Sequence, residues 1–280
     1  MAAPSSQISI LIINPNTSTS MTAALEPVVR ALPYPNATYT FFTSPSHGIP
    51  SINSPSDAVD SASICWPALQ PLIHEGKHTA YLVACYSAHP LVGMIREEIR
   101  NQKSKRKAYV TGIFEASVAA ALGSLSVGFA EAGAKEAGER FGIVSTGKVW
   151  EDALSTAVGE LLVGSTSVPL PQSGSPSALV YQSPRFAGCE TTGLNATELH
   201  DLPAEEVRAK MKDATVRLLK TEGGRVGAIC LGCAGMVGLD SAVREGCVEV
   251  FGEEVGAQVR IVDGVVAGVG SLVSMAASGF

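Results

Sequence analysis

The chain has 280 residues, of which 46% are apolar and 16% are charged, and its formal net charge is −6. These values are typical of a folded protein with one large or two small domains, and they exclude a disordered chain. A net negative charge gives no sign of a basic surface that would bind nucleic acid. The single basic run, Lys103 to Lys107, is interpreted as a solvated surface turn. We therefore expect a small-molecule partner and no nucleic acid.

The two ends of the chain bear on its location. Residues 1–7 lack the charged and apolar regions of a secretory signal, which favours a cytoplasmic protein. The last twenty residues, from Ile261 onwards, are apolar, but Asp263 and several Gly and Ser residues favour a strand followed by a buried helix. We therefore expect no membrane span.

In the first half of the chain, apolar runs alternate with helical patterns, which is typical of a parallel α/β architecture. Strands are predicted at 8–13, at 39–43, in a run from 81 that ends at Cys85, and at 108–113. Helices are predicted from a Thr/Ser cap at 17–18 to 31, at 57–74 and at 90–101. The Ser/Pro/Gly-rich loop 44–56 is long enough to be a lid over a site.

The second half of the chain repeats this plan. Strands are predicted at 140–147, 226–233 and 258–264, and helices at 149–162 and 204–222, whereas 165–197 is interpreted as irregular. The two halves match element by element, so we expect an α/β fold of two pseudo-symmetric lobes. Each lobe is predicted to be a flavodoxin-like or Rossmann-like parallel sandwich, with the active site in the cleft between them. Lobe 1 is predicted to hold residues 7–114 plus 265–280, and lobe 2 residues 115–264.

Two cysteines, Cys85 and Cys233, end the apolar runs that occupy equivalent positions in the two halves. Ligands of open α/β sheets bind at the carboxyl ends of the strands, so both thiols are expected at one cleft. A thiol has a pKa of about 8.5, and a helix N-terminus lowers it, so one thiolate can remove a proton from carbon while the other thiol donates one. The pattern predicts proton transfer across a stereocentre.

The other cysteines are interpreted as free buried thiols, since the chain shows no secretory features. The Cys230-Leu231-Gly232-Cys233 spacing formally matches a redox or half-zinc motif, but no second pair follows and no histidine is placed to complete a site. No metal is expected. A thiol redox protein using Cys230 and Cys233 stays open as an alternative, and it predicts a reversible disulfide.

The remaining candidates would hold the substrate or stabilise the anion formed from it. They follow the predicted strand ends, as polar turn residues or as donors of backbone amides, and they are Asn14, Thr17, Tyr86, Ser87, Thr146, Ala234 and Gly235. Glu115 is interpreted as a first-turn carboxylate of a helix. His47 and His89 are alternative general bases, for which a surface or supporting role is favoured.

Three motifs in order carry a resemblance that covers nearly the whole chain. They are Asn14 to Ser18 (NPNTS), Thr111 to Ala116 (TGIFEA) and Leu231 to Met236 (LGCAGM). Together they resemble the hydantoin racemase branch of the aspartate/glutamate racemase superfamily, which includes allantoin racemases. The resemblance implies two α/β lobes, no cofactor, and one catalytic cysteine from each lobe, at Cys85 and Cys233. Members are often homo-oligomers.

The chain departs from the family pattern beside both cysteines. Bacterial members tend to have Asp-Pro shortly after the first cysteine, where this chain has Ala88-His89-Pro90. Amino-acid racemases of the superfamily show Asn-Thr after the first cysteine and Thr after the second, where this chain has Tyr86-Ser87 and Ala234-Gly235. A neutral ring amide is therefore favoured over free aspartate or glutamate.

The resulting hypothesis is a racemase of 5-substituted hydantoins, with allantoin, an intermediate of purine catabolism, as the leading substrate. Alternatives within the superfamily are an amino-acid racemase, a maleate-type isomerase and a malonate-type decarboxylase. A non-catalytic protein that binds small molecules on a two-lobed scaffold is a further alternative.

Overall fold

The computed structural model describes residues 7–102, 107–126, 138–164, 183–221 and 226–279. The strands within these ranges are β1 (Ile8–Asn14), β2 (Ala37–Thr43), β3 (Ala80–Val83), β4 (Tyr109–Gly112), β5 (Arg140–Ser145), β6 (Phe186–Thr191), β7 (Val226–Gly232) and β8 (Arg260–Asp263). The helices are α1 (Thr19–Arg30), α2 (Pro55–Glu75), α3 (Pro90–Asn101), α4 (Ile113–Ser124), α5 (Val149–Val163), α6 (Glu198–Asp201), α7 (Ala204–Thr221), α8 (Asp240–Gly256) and α9 (Gly264–Ser278). A short 3-10 turn (Ala234–Met236) follows β7.

The strands form two four-stranded parallel sheets with the same topology. The first sheet has the order β2-β1-β3-β4 and the second has the order β6-β5-β7-β8. Every pairing is parallel, and Ile13 lies opposite Val83 in the first sheet as Ser145 lies opposite Gly232 in the second. The prediction of two pseudo-symmetric α/β lobes is confirmed. Since β3 and β7 are equivalent, the loops that follow them carry Cys85 and Cys233 at equivalent positions.

Each sheet is covered by helices on both faces, as parallel sheets require. On β1, Leu11 and Ile13 face an outer core with α2 and α3, whereas Ile10 and Ile12 face an inner core. The second sheet has its own outer core with α7 and α8. The inner core is continuous between the lobes, because α4 and α9 contribute side chains that pack against both sheets.

Helices α4 and α9 are in close contact at their first residues. A Cβ on Gly264, the first residue of α9, would lie 2.8 Å from the carbonyl oxygen of Ile113 in α4. Asp263 fixes the start of α9, because its carboxylate accepts hydrogen bonds from the N–H groups of Val265 (2.7 Å) and Val266 (3.1 Å). The residues that meet here are next to the predicted lobe boundaries, after residues 114 and 264, and the division into these two ranges stays a prediction.

Most predicted elements agree with the structure to within a few residues, with one clear exception. Strand β6 lies inside the segment 165–197 that was interpreted as irregular, and residues 165–182 of that segment lie outside the described part of the chain, as does most of the basic run at 103–107. No helix within the described ranges is long and apolar enough to cross a membrane.

Candidate active site

The two predicted catalytic cysteines line one cleft between the lobes. Cys85 comes two residues after β3 and Cys233 comes directly after β7, so both lie at carboxyl ends of parallel strands. The cleft has about 390 Å³ of empty space, part of it open to solvent. Its lining residues come from both lobes and are Asn16, Met21, Ile52, Ala84, Cys85, Tyr86, Thr146, Trp150, Ala196, Gly232, Cys233 and Ala234.

The Cys85 thiol sits among groups that disfavour its ionisation. Burial raises the pKa of Cys85 to about 12. The Ser87 hydroxyl, 3.5 Å from Sγ, opposes this rise, whereas the charges of Cys233 and Glu115 add to it. The raised pKa favours the neutral thiol at Cys85 near pH 7.

Cys233 is held in a different way. The backbone N–H of Gly235 donates a hydrogen bond to its Sγ at 3.3 Å, inside the 3-10 turn. Burial raises the pKa of Cys233 to about 11, and the Gly235 bond works against that rise. The expectation of lowered thiol pKa values is wrong in its net direction at both cysteines, because burial dominates. Helices α3 and α8 begin only at Pro90 and Asp240, and the 3-10 turn after Cys233 supplies the one helical N–H that lowers the pKa of a thiol among the described residues.

Gly232 fixes the approach of the chain to Cys233. A Cβ at this position would lie 2.7 Å from the Cβ of Ser145 and 2.8 Å from the carbonyl oxygen of Val144 on the neighbouring strand. The Ser145 hydroxyl also donates to the Gly232 carbonyl at 2.8 Å. Only glycine fits between β5 and the cleft, so this residue type sets where the thiol emerges.

The turn after β1 presents a different asparagine from the one predicted. Asn14 is 2% exposed, and its amide donates to the Ser18 carbonyl and the Thr22 hydroxyl, both at 3.0 Å. Its Oδ1 accepts from the N–H of Asn16 at 3.2 Å, so its polar atoms are engaged within the turn. Asn16 lines the cleft instead, whereas Thr17 is not part of the lining.

The amide of Asn16 is only weakly engaged. Its Oδ1 accepts from the N–H of Ser18 at 2.9 Å, which fixes the side chain, and its Nδ2 donates to the thioether of Met21 at 3.3 Å. A thioether is a weak acceptor, so Nδ2 can exchange this partner for a carbonyl oxygen of a ligand at little cost.

Tyr86 and Ser87 lie beside Cys85, but much of their hydrogen-bonding capacity is already used. The Tyr86 ring lines the cleft, and its hydroxyl lies 2.7 Å from Oγ of Ser117 on α4. The N–H of Ser87 donates to the Cys85 carbonyl at 3.1 Å, while its side chain contacts the thiol. Ser87 therefore supports Cys85 and is not part of the cleft lining.

The second lobe contributes a polar residue and small residues to the cleft. Thr146 is buried and lines the cleft, and its carbonyl accepts from the N–H of Gly193 at 2.9 Å. Ala234 also lines the cleft, whereas Gly235 lies behind it and uses its N–H on Cys233. Of the predicted binding residues, the structure thus brings Tyr86, Thr146 and Ala234 to the cleft.

Five apolar residues of the lining escaped the sequence reasoning: Met21, Ile52, Ala84, Trp150 and Ala196. Ile52 belongs to loop 44–54; the lid was predicted over 44–56, but α2 already begins at Pro55. The carbonyl of Ile49 in this loop accepts from the N–H of Thr17 at 2.9 Å. Trp150 lies in the first turn of α5, the helix after β5. Because β5 is equivalent to β1, and site residues were predicted in the turn after β1, the start of α5 could have been predicted to contribute to the site.

The positions of His89, His47 and Cys230 give little support to a histidine base or to a thiol redox function. His89 is 2% exposed, and its Nδ1 accepts from the N–H of Leu91 at 3.3 Å, so the proton is on Nε2. Burial lowers the pKa of His89 to about 4, and His47 is exposed. Cys230 points away from the cleft towards the carbonyl of Ser117 at 3.6 Å, and all six cysteines are free.

Fold and site together define a two-lobed α/β protein with a pair of thiols in the cleft between its lobes. A family model of Asp/Glu/hydantoin racemases matches residues 10–272. The uncharacterized protein C1F7.10 of Schizosaccharomyces pombe is 32% identical over 268 residues, which are 96% of this chain and 92% of that protein.

Two solved structures share the fold. The allantoin racemase from Klebsiella pneumoniae has a TM-score of 0.70 at 22% identity, covering 98% of this chain and 89% of that one. The allantoin racemase from Pseudomonas fluorescens has a TM-score of 0.66 at 23% identity, covering 98% and 92%. The chain belongs to the Asp/Glu/hydantoin racemase family, as the sequence motifs indicated, and it is an enzyme of the racemase and isomerase class.

Proposed function

We propose that the enzyme interconverts the enantiomers of a 5-substituted hydantoin without a cofactor, using Cys85 and Cys233 as its acid and base, with allantoin as the leading substrate. The observation that carries this proposal is a cleft with one thiol from each lobe and, among its described lining residues, no charged side chain. The two similar folds named as allantoin racemases support the choice of ring.

The chemistry balances with two thiols alone. One sulfur, as the thiolate, takes the proton from C5 of the ring and becomes a thiol, and the electron pair left on carbon delocalises onto the neighbouring carbonyl as an enolate. The other thiol gives its proton to C5 from the opposite face and becomes the thiolate. For the other enantiomer the roles exchange, so no group has to carry a proton around the ring.

The cleft offers donors of the kind that an enolate and ring amides need. Asn16 Nδ2 can leave the Met21 thioether for a ring carbonyl, and Thr146 faces it from the other lobe. We assign these two residues to substrate binding, and the Tyr86 ring and Ala234 to the walls. Asn14, Thr17, Ser87 and Gly235 are assigned to supporting these groups through the turn and thiol contacts described above.

The described lining residues include no cationic side chain, and this favours a neutral hydantoin over the anionic substrates of the alternative reactions. Aspartate, glutamate, maleate and malonate carry carboxylates, and burying a carboxylate without a partner costs several kcal/mol. A hydantoin is neutral and presents amide donors and acceptors instead. The amino-acid racemase, maleate-type isomerase and malonate-type decarboxylase reactions are therefore less compatible with this cleft.

The test is racemisation in deuterated water. Single enantiomers of allantoin, 5-methylhydantoin, aspartate and glutamate are incubated with the wild-type protein, with Cys85→Ser and with Cys233→Ser, and loss of circular dichroism and deuterium at the stereocentre are followed together. Because hydroxyls are far weaker acids than thiols, each variant should lose racemisation by about a thousandfold. Cys189→Ser, the same change outside the cleft, is the control and should keep wild-type rates.

Hydantoin turnover retained in either catalytic variant would contradict the two-thiol mechanism. Exchange with aspartate or glutamate but with neither hydantoin would overturn the assigned substrate class. No exchange above the uncatalysed rate with any compound would reject racemisation of this panel altogether.

A further inference from the structure

The two thiols of the cleft have unequal surroundings. Cys233 receives a backbone N–H, a donor that favours the thiolate over the thiol. Cys85 receives no such backbone donor among the described hydrogen bonds, and its nearest polar contact is the Ser87 hydroxyl at 3.5 Å. The carboxylate of Glu115 also acts on Cys85, and none acts on Cys233 within the described residues.

Strand register explains why Glu115 reaches this thiol. Val83 and Gly112 are paired across β3 and β4, Cys85 comes two residues after the first, and Glu115 comes three residues after the second. The Glu115 side chain folds back over Gly112, so that its Oε2 would clash with a Cβ at that position. A residue without a side chain at 112 therefore leaves the space that the carboxylate fills.

The charge of the Glu115 carboxylate is only partly compensated by the groups around it. Its Oε2 is buried and has no hydrogen-bond partner among the described residues. Burial raises the pKa of Glu115, and hydrogen bonds from the backbone N–H groups of Glu115 and Gly112 together with the charge of Arg96 from α3 oppose that rise. The Arg96 guanidinium itself donates to the carbonyl of Val110 at 2.9 Å. A buried carboxylate oxygen without a hydrogen-bond partner is costly, and such an atom in a native fold calls for a functional reason.

We propose that Glu115 is a positioning residue that keeps Cys85 protonated, so that Cys233 is the thiol that ionises first and Cys85 is the proton donor of the substrate-free enzyme. A negative charge beside a thiol disfavours a second negative charge on the sulfur, and the N–H of Gly235 favours one on Cys233. The groups that act on the ionisation of Cys85 are Ser87, Cys233 and Glu115. Of these, Glu115 is the carboxylate, and its charge acts on Cys85 but not on Cys233. The acid and base roles rest on the proposed function, whereas the order of ionisation does not.

The test measures each thiol separately and needs no substrate. Iodoacetamide alkylates thiolates, so its rate at Cys85 and at Cys233, read by peptide mass spectrometry between pH 7.5 and 10, follows the ionisation of each sulfur. In Glu115→Gln the Cys85 rate at pH 9 should rise by about tenfold, since a neighbouring charge shifts a pKa by about one unit or more. The Cys233 rate should stay within about twofold, because no carboxylate among the described residues acts on it.

Two control variants distinguish an effect of the Glu115 charge from a structural effect of the substitution. Glu97→Gln removes the same charge from the exposed face of α3 and should leave both rates unchanged. Glu115→Asp keeps the charge and should keep the Cys85 rate low, even if its shorter side chain costs stability. An unchanged Cys85 rate in Glu115→Gln, or equal acceleration at both cysteines, would overturn the proposal.

A second readout links the order of ionisation to turnover. With a substrate from the hydantoin panel, the high-pH limb of kcat/KM reports the acid and the low-pH limb reports the base. Glu115→Gln should move the high-pH limb to lower pH and leave the low-pH limb in place. Alkylation that behaves as expected while no compound is racemised would reject the proposed function alone. A shift of the low-pH limb instead would reverse the assignment of the two thiols.

Discussion

Removal of the Tyr86 hydroxyl separates a structural role of this residue from a role in binding substrate. The hydroxyl lies 2.7 Å from Oγ of Ser117, and that Oγ donates its own proton to the carbonyl of Phe114 at 2.9 Å. The tyrosine is therefore the donor of the pair. Its ring packs edge-to-face on Phe114 with centroids 5.6 Å apart, a contact that Tyr86→Phe retains.

The expected loss of stability follows from this geometry. A buried hydrogen bond contributes about 1 kcal/mol net, and Ser117 keeps its bond to Phe114, so Tyr86→Phe should lower the free energy of unfolding by about 1 kcal/mol. Ser117→Ala should cost more, about 1–3 kcal/mol, because it leaves a buried phenol with only the weak Cys230 thiol beside it. The double variant Tyr86→Phe/Ser117→Ala should be no less stable than Ser117→Ala alone. Urea unfolding followed by circular dichroism measures all three.

Activity supplies the deciding comparison. Because the hydroxyl is committed to Ser117, racemisation by Tyr86→Phe should stay within about threefold of wild type in kcat/KM, or under 1 kcal/mol of transition-state stabilisation. Unchanged stability combined with a loss of a hundredfold or more would refute this reasoning and place the phenol on the substrate.

Two further predictions concern stability. The pKa of His89 lies near 4, below its ordinary value of 6.5, so stability should be complete above pH 6.5 and fall as pH drops towards 4, by about 3 kcal/mol in all. His89→Asn keeps an acceptor for the N–H of Leu91 and removes the titration; parallel urea midpoints for both proteins from pH 7 to 4.5 would contradict the assignment. Gly264→Ala forces a methyl against the carbonyl of Ile113 and should cost about 1–3 kcal/mol. Gly123→Ala, in α4, places its methyl with no described atom within 4 Å apart from its chain neighbours and the backbone of the helix itself, so it should instead stabilise by about 0.5–1 kcal/mol. Equal effects at the two sites would argue against the close contact.

The sequence was a good guide wherever burial determines the pattern of residue types. Strands β1, β3 and β7 are continuous apolar runs because both faces of their sheets are covered, so they stand out and place Cys85 and Cys233. Strand β6 was missed because Phe186–Thr191 includes Gly188 and Glu190, is only partly buried, and follows a long Ser/Pro/Gly-rich stretch.

Details of the site depended on backbone geometry that residue types do not specify. Asn14 and Asn16 are both turn residues after β1, and only the path of the turn decides that the first bonds within it and the second faces the cleft. The thiol pKa values were misjudged for a related reason. The distance from each sulfur to the next helix was unknown, and so was the extent of burial.

The shared inner core also restricts how a ligand can reach the cleft. Rotation of one lobe away from the other would strip α4 and α9 from apolar partners on both sheets, at about 25 cal/mol for each Å² exposed to water. Loop 44–54 is held near its start by hydrogen bonds from the N–H of Ser44 to the carbonyls of Asn14 and Asn16, and further along by the bond from the N–H of Thr17 to the Ile49 carbonyl. It contributes few side chains to the inner core, among them Ile52, which also lines the cleft. We therefore expect this loop to move when a ligand enters the cleft, and the two lobes that carry Cys85 and Cys233 to keep their relative positions.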